Sequence, residues 1–555
     1  MLLLMFWAVL FRLILFLVGG EILAAAGPTN VFDVPSVPVR LISPWLRGQS
    51  PQMVDPPDYY FGVMGMGSNS LFRGVAGGID AETYNWKTLN SFTFAEQYPR
   101  GYRIVSPFNP KRTTLDFLEG CRAYGSTPII TINTRGDGSM TSRNGVNQWR
   151  ARSSDHSTLD RLAADWVRYV NFLLPNYHLG KEGTYVPASR EVPPLSIADR
   201  RLLDSLHWVV GTNAVPARRL LRLGDKTILP RVKYWEIGNE VEIPMDKTRF
   251  DPAIDIGAEE YVRRYKALTE SMLRVDPKIL VGPQFGNAWP ASSPNFNRHL
   301  EVLLRDPQAR IDFMTYHPYP DNGVMAKAWP PQGKPNIFEL EKALRIIKHW
   351  HHLQKSLFQT ALREAKRDPN LPFLATEWNS SDPSFNHDLK RSLCEAMAAV
   401  EMIFCFVEEG TLGANFWGHN QFPPLRDVFT KLTTHLGTEF LGSTFGNFRF
   451  AGPGGTDPSS TSNLRIYATR TRETRTLNVW LLNFSNREGQ NLELRLPRGT
   501  VAGAKLSVLR DPLGRKTELV TPGSTLGWVE SSVTVKPTTY MTLGPASLSI
   551  LELRY

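Results

Sequence analysis

The chain has 555 residues, with 63 Lys and Arg against 53 Asp and Glu, a net charge of +10. A hydrophobic fraction of 42% and a charged fraction of 21% are ordinary for a globular protein and exclude a disordered or collagen-like chain. Three cysteines, Cys121, Cys394 and Cys405, are too few for a disulfide framework, and none has the CxxC spacing of a zinc ribbon.

Residues 2–18 are almost wholly apolar, broken once by Arg12, and Ala24-Ala25-Ala26 supplies a small-x-small cleavage pattern. Residues 1–26 therefore read as a secretory signal peptide, and the protein as secreted or resident in the cell envelope. The competing reading, an uncleaved tether, places Arg12 in mid-membrane at high cost. No other segment is apolar enough to cross a membrane, which excludes a multi-span transporter; no span is expected once the signal is removed. The positive charge contains no run of five Lys or Arg. Arg470, Arg472 and Arg475 alternate with Thr and Glu473 as on a solvated strand, so no nucleic-acid partner is expected.

Residues 27–58 are Pro-rich and can add a strand to a neighbouring domain. Over 59–437 short apolar runs alternate with helical patterns, as in a parallel sheet. Expected strands are 60–66 or 69–74, then 128–133, 234–238, 279–282, 313–316, 373–376 and 412–416. Helical periodicity covers 159–174, 259–275, 338–363 and 389–408. Insertions are expected at 136–154 and 180–230, the second with a helix over 199–209. The fold class is α/β, a (β/α)₈ barrel. A doubly wound sheet is the alternative, but no glycine-rich phosphate fingerprint follows an early strand. From 438 to 555 alternating segments at 464–469, 477–484, 491–496, 505–509, 532–535 and 548–554 read as an antiparallel β-sandwich.

Two expected strands end in carboxylates. Tyr234-Trp235-Glu236-Ile237-Gly238-Asn239-Glu240 closes one, and Leu374-Ala375-Thr376-Glu377-Trp378-Asn379 another; if these are the fourth and seventh strands, the two carboxyls face each other across the barrel mouth. The C-terminal ends of barrel strands are where such folds carry active sites. Two opposed carboxyls suit glycosidic bond cleavage: one protonates the leaving oxygen while the other attacks or stabilises the anomeric carbon.

These two segments resemble the retaining glycoside hydrolases of clan A. The resemblance implies that Glu240 is the acid/base, Glu377 the nucleophile, and Asn239 the amide that bonds the sugar 2-hydroxyl. Leu71-Phe72-Arg73-Gly74 through Gly77-Gly78 to Tyr84-Asn85-Trp86 resembles the α-L-arabinofuranosidases of family 51, with one residue more before the paired glycines. Families 39 and 79 share the catalytic layout. Thr315-Tyr316-His317-Pro318-Tyr319 resembles the sixth strand, whose His and Tyr line the subsite. Ala414-Asn415-Phe416-Trp417 resembles the eighth, with its Trp as a sugar platform. The expected function is that of a secreted glycosidase acting on a carbohydrate substrate without a cofactor or metal.

Bland readings stand beside these. Glu236 should point into the barrel and pair structurally with Arg73. Glu242 reads as solvated. Asn239 could be a turn amide and His317 a core histidine. Tyr319 could bond the nucleophile. Trp378 and Trp417 read equally as core or as platforms. Asn133, Arg135 and Gln284 lie at strand ends as further substrate-binding candidates. His349, His351 and His352 share a helix without an evident carboxylate and read as a solvated face. Asn379-Ser-Ser and Asn483-Phe-Ser fit the glycosylation pattern. The rival function is a non-catalytic glycan-binding protein on the same scaffold.

Overall fold

The computed structural model describes residues 29–50, 69–75, 114–135, 157–179, 184–205, 229–244, 255–286, 296–320, 333–379, 387–417, 423–444, 462–497 and 503–554, with shorter pieces between them at 81, 84–87, 92–94, 102–104, 140–143, 146–149 and 328–330. The expected signal peptide and the alternative strand at 60–66 lie outside the described residues. No helix of the described residues is long and apolar enough to cross a membrane.

Eight parallel strands close into a barrel in chain order: Gly48–Ser50, Leu71–Gly74, Thr127–Ile132, Tyr234–Ile237, Leu280–Phe285, Met314–Tyr316, Phe373–Trp378 and Gly413–Trp417. The last pairs with the first, Asn415 opposite Gly48. The first strand lies upstream of residue 59, where the barrel was expected to start. Gly-Gln-Ser carries no apolar run, so nothing in its composition marks it as a strand. Gly48 is required by close approach: a Cβ there would lie 2.2 Å from the Leu71 carbonyl oxygen.

The barrel interior is layered by strand alternation. Leu71, Ile129, Phe313 and Leu374 form an apolar plug, lined by Trp45 and Tyr234. Two residues further along three of these strands, and along the Tyr234 strand, stand Arg73, Thr131, Glu236 and Thr376, all buried. The apolar layer thus seals the bottom of a polar layer beneath the barrel mouth.

Helices cover the outside. Ala258–Val275, Ile337–Glu364 and Leu393–Glu409 fall where periodicity placed them. Ser157–Arg168 continues through a π-helical stretch at Tyr169–Leu173. The expected helix over 389–408 is split into His387–Lys390 and Leu393–Glu409. The cause is a loop of the second domain: the Leu393 and Cys394 amides donate to the Thr521 and Leu519 carbonyls instead of to a preceding turn. Gly410, in the left-handed region at φ 66°, ends the second piece. In the first expected insertion Met140–Arg143 pairs with Val146–Trp149; the second holds Tyr185–Pro187, which pairs back with Tyr177–Leu179 just before it, and the helix Ile197–Ser205.

After residue 438 a seven-stranded sheet and a three-stranded sheet pack face to face. Ile466, Val479 and Leu551 of the larger sheet meet Phe32, Leu492 and Leu543 of the smaller. The strand Thr538–Leu543, absent from the sequence reading, completes the small sheet. The Pro-rich N-terminal segment joins both sheets. Asn30–Asp33 pairs in parallel with Gln490–Arg495, and Arg40–Leu41 pairs with Glu439–Ser443, before the chain enters the barrel. All three cysteines are buried and free.

Candidate active site

The fourth strand delivers its carboxylates through backbone geometry. Gly238 adopts φ 88°, a conformation that glycine alone takes without strain. Glu240 itself sits at φ 44°, uncommon for a residue with a side chain. Gln284 on the fifth strand accepts the Glu240 backbone amide through its Oε1 and donates to the Phe285 carbonyl at 2.6 Å. Gln284, expected to bind substrate, instead holds the turn that presents Glu240.

The seventh strand uses a bulge. Strict alternation from inward Leu374 places Thr376 inward and Glu377 outward. The pairing register shifts between Ala375 and Trp378, and both Thr376 and Glu377 reach buried polar partners of the interior. Trp378 turns outward and is fully buried against Phe406, Phe416 and Phe429. It is a core residue with no face for a sugar. Trp417 is half-buried, and its carbonyl accepts from Asn379 Nδ2 at 2.7 Å.

Arg73 organises the polar layer. Its Nε donates to Glu236 Oε2 at 2.7 Å, its Nη1 to Glu377 Oε1 at 2.5 Å and its Nη2 to Asn239 Oδ1 at 2.7 Å. Ser50 Oγ lies 3.4 Å from Nη1. Thr131 and Thr376 hydroxyls donate to Glu236 at 2.6 and 2.5 Å. Burial acts to raise the Glu236 pKa, but Arg73, His317 and the two hydroxyls outweigh it and hold the carboxyl below the usual carboxylate range. Burial likewise acts against the Arg73 charge, and Glu236 and Glu377 together more than restore it. The Arg73–Glu236 pair read from the sequence is present; the contacts to Glu377 and Asn239 extend it to the candidate catalytic residues.

Above this layer, Tyr319 Oη donates to Glu377 Oε2 at 3.1 Å. His317 Nδ1 lies 2.7 Å from Glu240 Oε1 and 3.5 Å from Glu377 Oε2. One ligand atom from each of Glu240, His317 and Glu377 lies within 4.8 Å of the others. That spacing could hold a cation, but the guanidinium on Glu377 already supplies positive charge there and opposes a second one. The Glu377 side chain is 5% exposed and that of Glu240 23%. Asn239 Nδ2 and His317 Nε2 are buried and have no hydrogen-bond partner among the described residues.

Other candidates serve the frame. Asn133 Oδ1 accepts from the Arg135 amide at 2.8 Å, and its Nδ2 lies 3.4 Å from the Tyr84 carbonyl. Arg135 is paired with Asp255 at 3.1 Å and donates to the Ile243 carbonyl. Glu242 is buried rather than solvated, accepting from the Gly286 amide at 2.6 Å. Trp86 stacks on Trp166 and Tyr169 in the core; Gly77 and Gly78 lie outside the described residues. The histidine helix has carboxylate company after all: His351 and His352 contact Glu409 at 2.9 and 2.5 Å. Glu409 comes from another helix, where no local pattern could show it. Asn379 and Asn483 are buried and hydrogen-bonded, so neither is placed to carry a glycan. Ser50, Thr131 and Thr376 were missed; their only sequence signal is inward parity on a barrel strand.

No family model matches the chain, and no curated protein matches it. Solved structures do. An α-L-arabinofuranosidase from Thermotoga maritima superposes with a TM-score of 0.59 at 16% identity, covering 95% of this chain and 99% of its own. The fold is that of family 51 and family 44 glycoside hydrolases. A family 51 α-L-arabinofuranosidase from Bifidobacterium longum gives a TM-score of 0.61 at 13% identity, with 95% and 100% covered. A family 44 xyloglucanase from Paenibacillus polymyxa gives 0.58 at 14%, also with 95% and 100% covered. The likeness spans barrel and sandwich together.

Proposed function

We propose that the chain is a retaining glycoside hydrolase with Glu377 as nucleophile and Glu240 as acid/base. The observation that carries this reading is that one carboxyl oxygen of Glu240 lies within 4.8 Å of one of Glu377 at the barrel mouth. Retaining enzymes place them about 5 Å apart, whereas inverting enzymes leave several ångströms more for a water.

The two environments match the two tasks. Glu377 is buried and receives hydrogen bonds from Arg73 and Tyr319, one on each oxygen, which fix the carboxyl in place for attack. Glu240 is more exposed, as suits a group that exchanges protons with a leaving group and then with water. Attack of a Glu377 oxygen on the anomeric carbon forms the glycosyl ester as the proton of Glu240 passes to the departing oxygen. Glu240 then takes a proton from water, which cleaves the ester and restores Glu377. Asn239 Nδ2, anchored through its Oδ1 to Arg73, is the free donor for a sugar hydroxyl beside the nucleophile.

An α-L-arabinofuranoside is the first substrate to test, from the family 51 likeness, followed by xylosides, glucosides and uronic-acid glycans. The signal-like N-terminus supports action outside the cytoplasm. Turnover of one class is expected to fall at least about a thousandfold in Glu377→Ala, and proton NMR of the first-formed sugar should show retained anomeric configuration. A first product of inverted configuration would refute the assignment. A folded protein that binds glycan but releases no sugar would be the binding protein instead.

A further inference from the structure

We infer that Glu236 is a positioning residue: it shares the Arg73 guanidinium with Glu377 and thereby limits how much of that positive charge bears on the nucleophile. The inference rests on the reading of Glu377 as nucleophile.

Glu236 is fully buried below the reaction centre. Its described hydrogen bonds go to Arg73, Thr131 and Thr376, none of which is the acid/base or the nucleophile. To hold the guanidinium in place, a neutral amide of the same shape would serve and would avoid burying a second carboxylate. The charge therefore calls for an explanation beyond geometry. Arg73 is the one described cation in hydrogen-bond contact with Glu377, at 2.5 Å. Left to pair with Glu377 alone in a buried site, it would lower the energy of the carboxylate and weaken it as a nucleophile. The arrangement is instead linear in charge: carboxylate, guanidinium, carboxylate. Glu236 takes the Nε edge and Glu377 a terminal nitrogen. The third nitrogen is left for Asn239, so the same sharing aims the substrate amide. Among the described residues Tyr319, His317 and Glu240 also face Glu377, and none of them has a described hydrogen bond to Glu236.

The sign of the effect separates this role from a scaffold role. In Glu236→Gln the amide retains the shape and a bond to Arg73, and the full guanidinium charge turns to Glu377. The acidic limb of kcat/KM should move to lower pH by about one unit, with kcat down about tenfold and KM changed far less. The ¹³C titration of the Glu377 carboxyl, assigned by its loss in Glu377→Gln, should move in the same direction. That readout needs no turnover. If the wild-type protein cleaves nothing, the glycosidase reading fails while the titration still judges the sharing of charge. A titration that stays in place or moves to higher pH overturns the inference. If Glu236→Gln does not fold, Arg73→Met with Glu236→Gln removes both charges together. The Glu377 titration must then rise above wild type, and an unchanged or lower value overturns the inference.

Discussion

Tyr319 and Arg73 grip different oxygens of the same carboxylate, Oε2 at 3.1 Å and Oε1 at 2.5 Å. Removing the phenol donor leaves Glu377 with less support for its charge, so Tyr319→Phe should move the acidic limb of kcat/KM to higher pH. The direction is opposite to that expected for Glu236→Gln, although both replacements delete a polar group near one carboxylate. A kcat loss of about tenfold is expected from one hydrogen bond to a charged group. A pH–rate profile that superposes on wild type would remove Tyr319 from the support of Glu377. Much at this scale was readable from the chain. Gly-Asn-Glu after an apolar strand announced Glu240, and the inward parity of Glu236 announced its need for Arg73. The seventh strand was harder, because alternation alone turns Glu377 outward and Trp378 inward. The bulge between Ala375 and Trp378 reverses both, and a bulge leaves no mark in a six-residue apolar strand.

Between the helices Ile337–Glu364 and Leu393–Glu409 lies a buried ionic cluster that periodicity could not show, since each helix contributes half of it. Glu409 lies in ion-pair contact with His351 and His352; Lys348 pairs with Glu408 at 2.6 Å, and Lys355 approaches Glu409. Tyr316 Oη reaches His351 Nε2 at 3.3 Å, one residue before His317 at the barrel mouth. Burial acts to raise the Glu409 pKa, but the two imidazoles outweigh it and hold the group well below the usual carboxylate range. Burial acts to lower His352, and Glu409 outweighs it and raises the imidazole above its usual value of about 6.5. The raised histidine contributes stability that is complete below about pH 6.5 and is lost as pH climbs through its folded value. The lowered glutamate contributes stability that is complete above about pH 4.3 and is lost only in stronger acid. Wild-type Tm should therefore be highest near pH 5 to 6 as far as this cluster decides it, and should decline toward pH 9. Glu409→Gln should cost about 3 kcal/mol near pH 5.5, because it strands buried imidazolium, and the gap to wild type should narrow at pH 9. Parallel Tm–pH curves for the two proteins would show that the cluster is not protonated as inferred.

Barrel and sandwich are cut by composition at about residue 437, yet the molecule does not divide there. The N-terminal segment contributes Asn30–Asp33 and Arg40–Leu41 to the sandwich and then Gly48–Ser50 to the barrel. The helix Leu393–Glu409 is buried along nearly all its length because it has the barrel on one side and the large sheet on the other. A chain scanned by period alone gives that helix one apolar stripe; its nearly all-round apolar surface was the available sign of a second partner. Across the junction Arg465 Nε donates to Glu401 at 2.8 Å, and Tyr467 Oη donates to the same carboxylate at 2.6 Å. Phe404 stacks on Tyr467 with ring centroids 4.1 Å apart and meets Trp480 edge-on. Both charged partners are fully buried, so replacing Arg465 by Met leaves an uncompensated carboxylate and should cost roughly 3 kcal/mol or more. Since the lost contacts belong equally to both units, the cost should appear in both at once. Calorimetry of wild type is expected to show one cooperative transition, shifted as a whole in Arg465→Met. Two separable transitions, with only the sandwich component displaced by the substitution, would mean that the sandwich is an appendage and not part of what holds the barrel together.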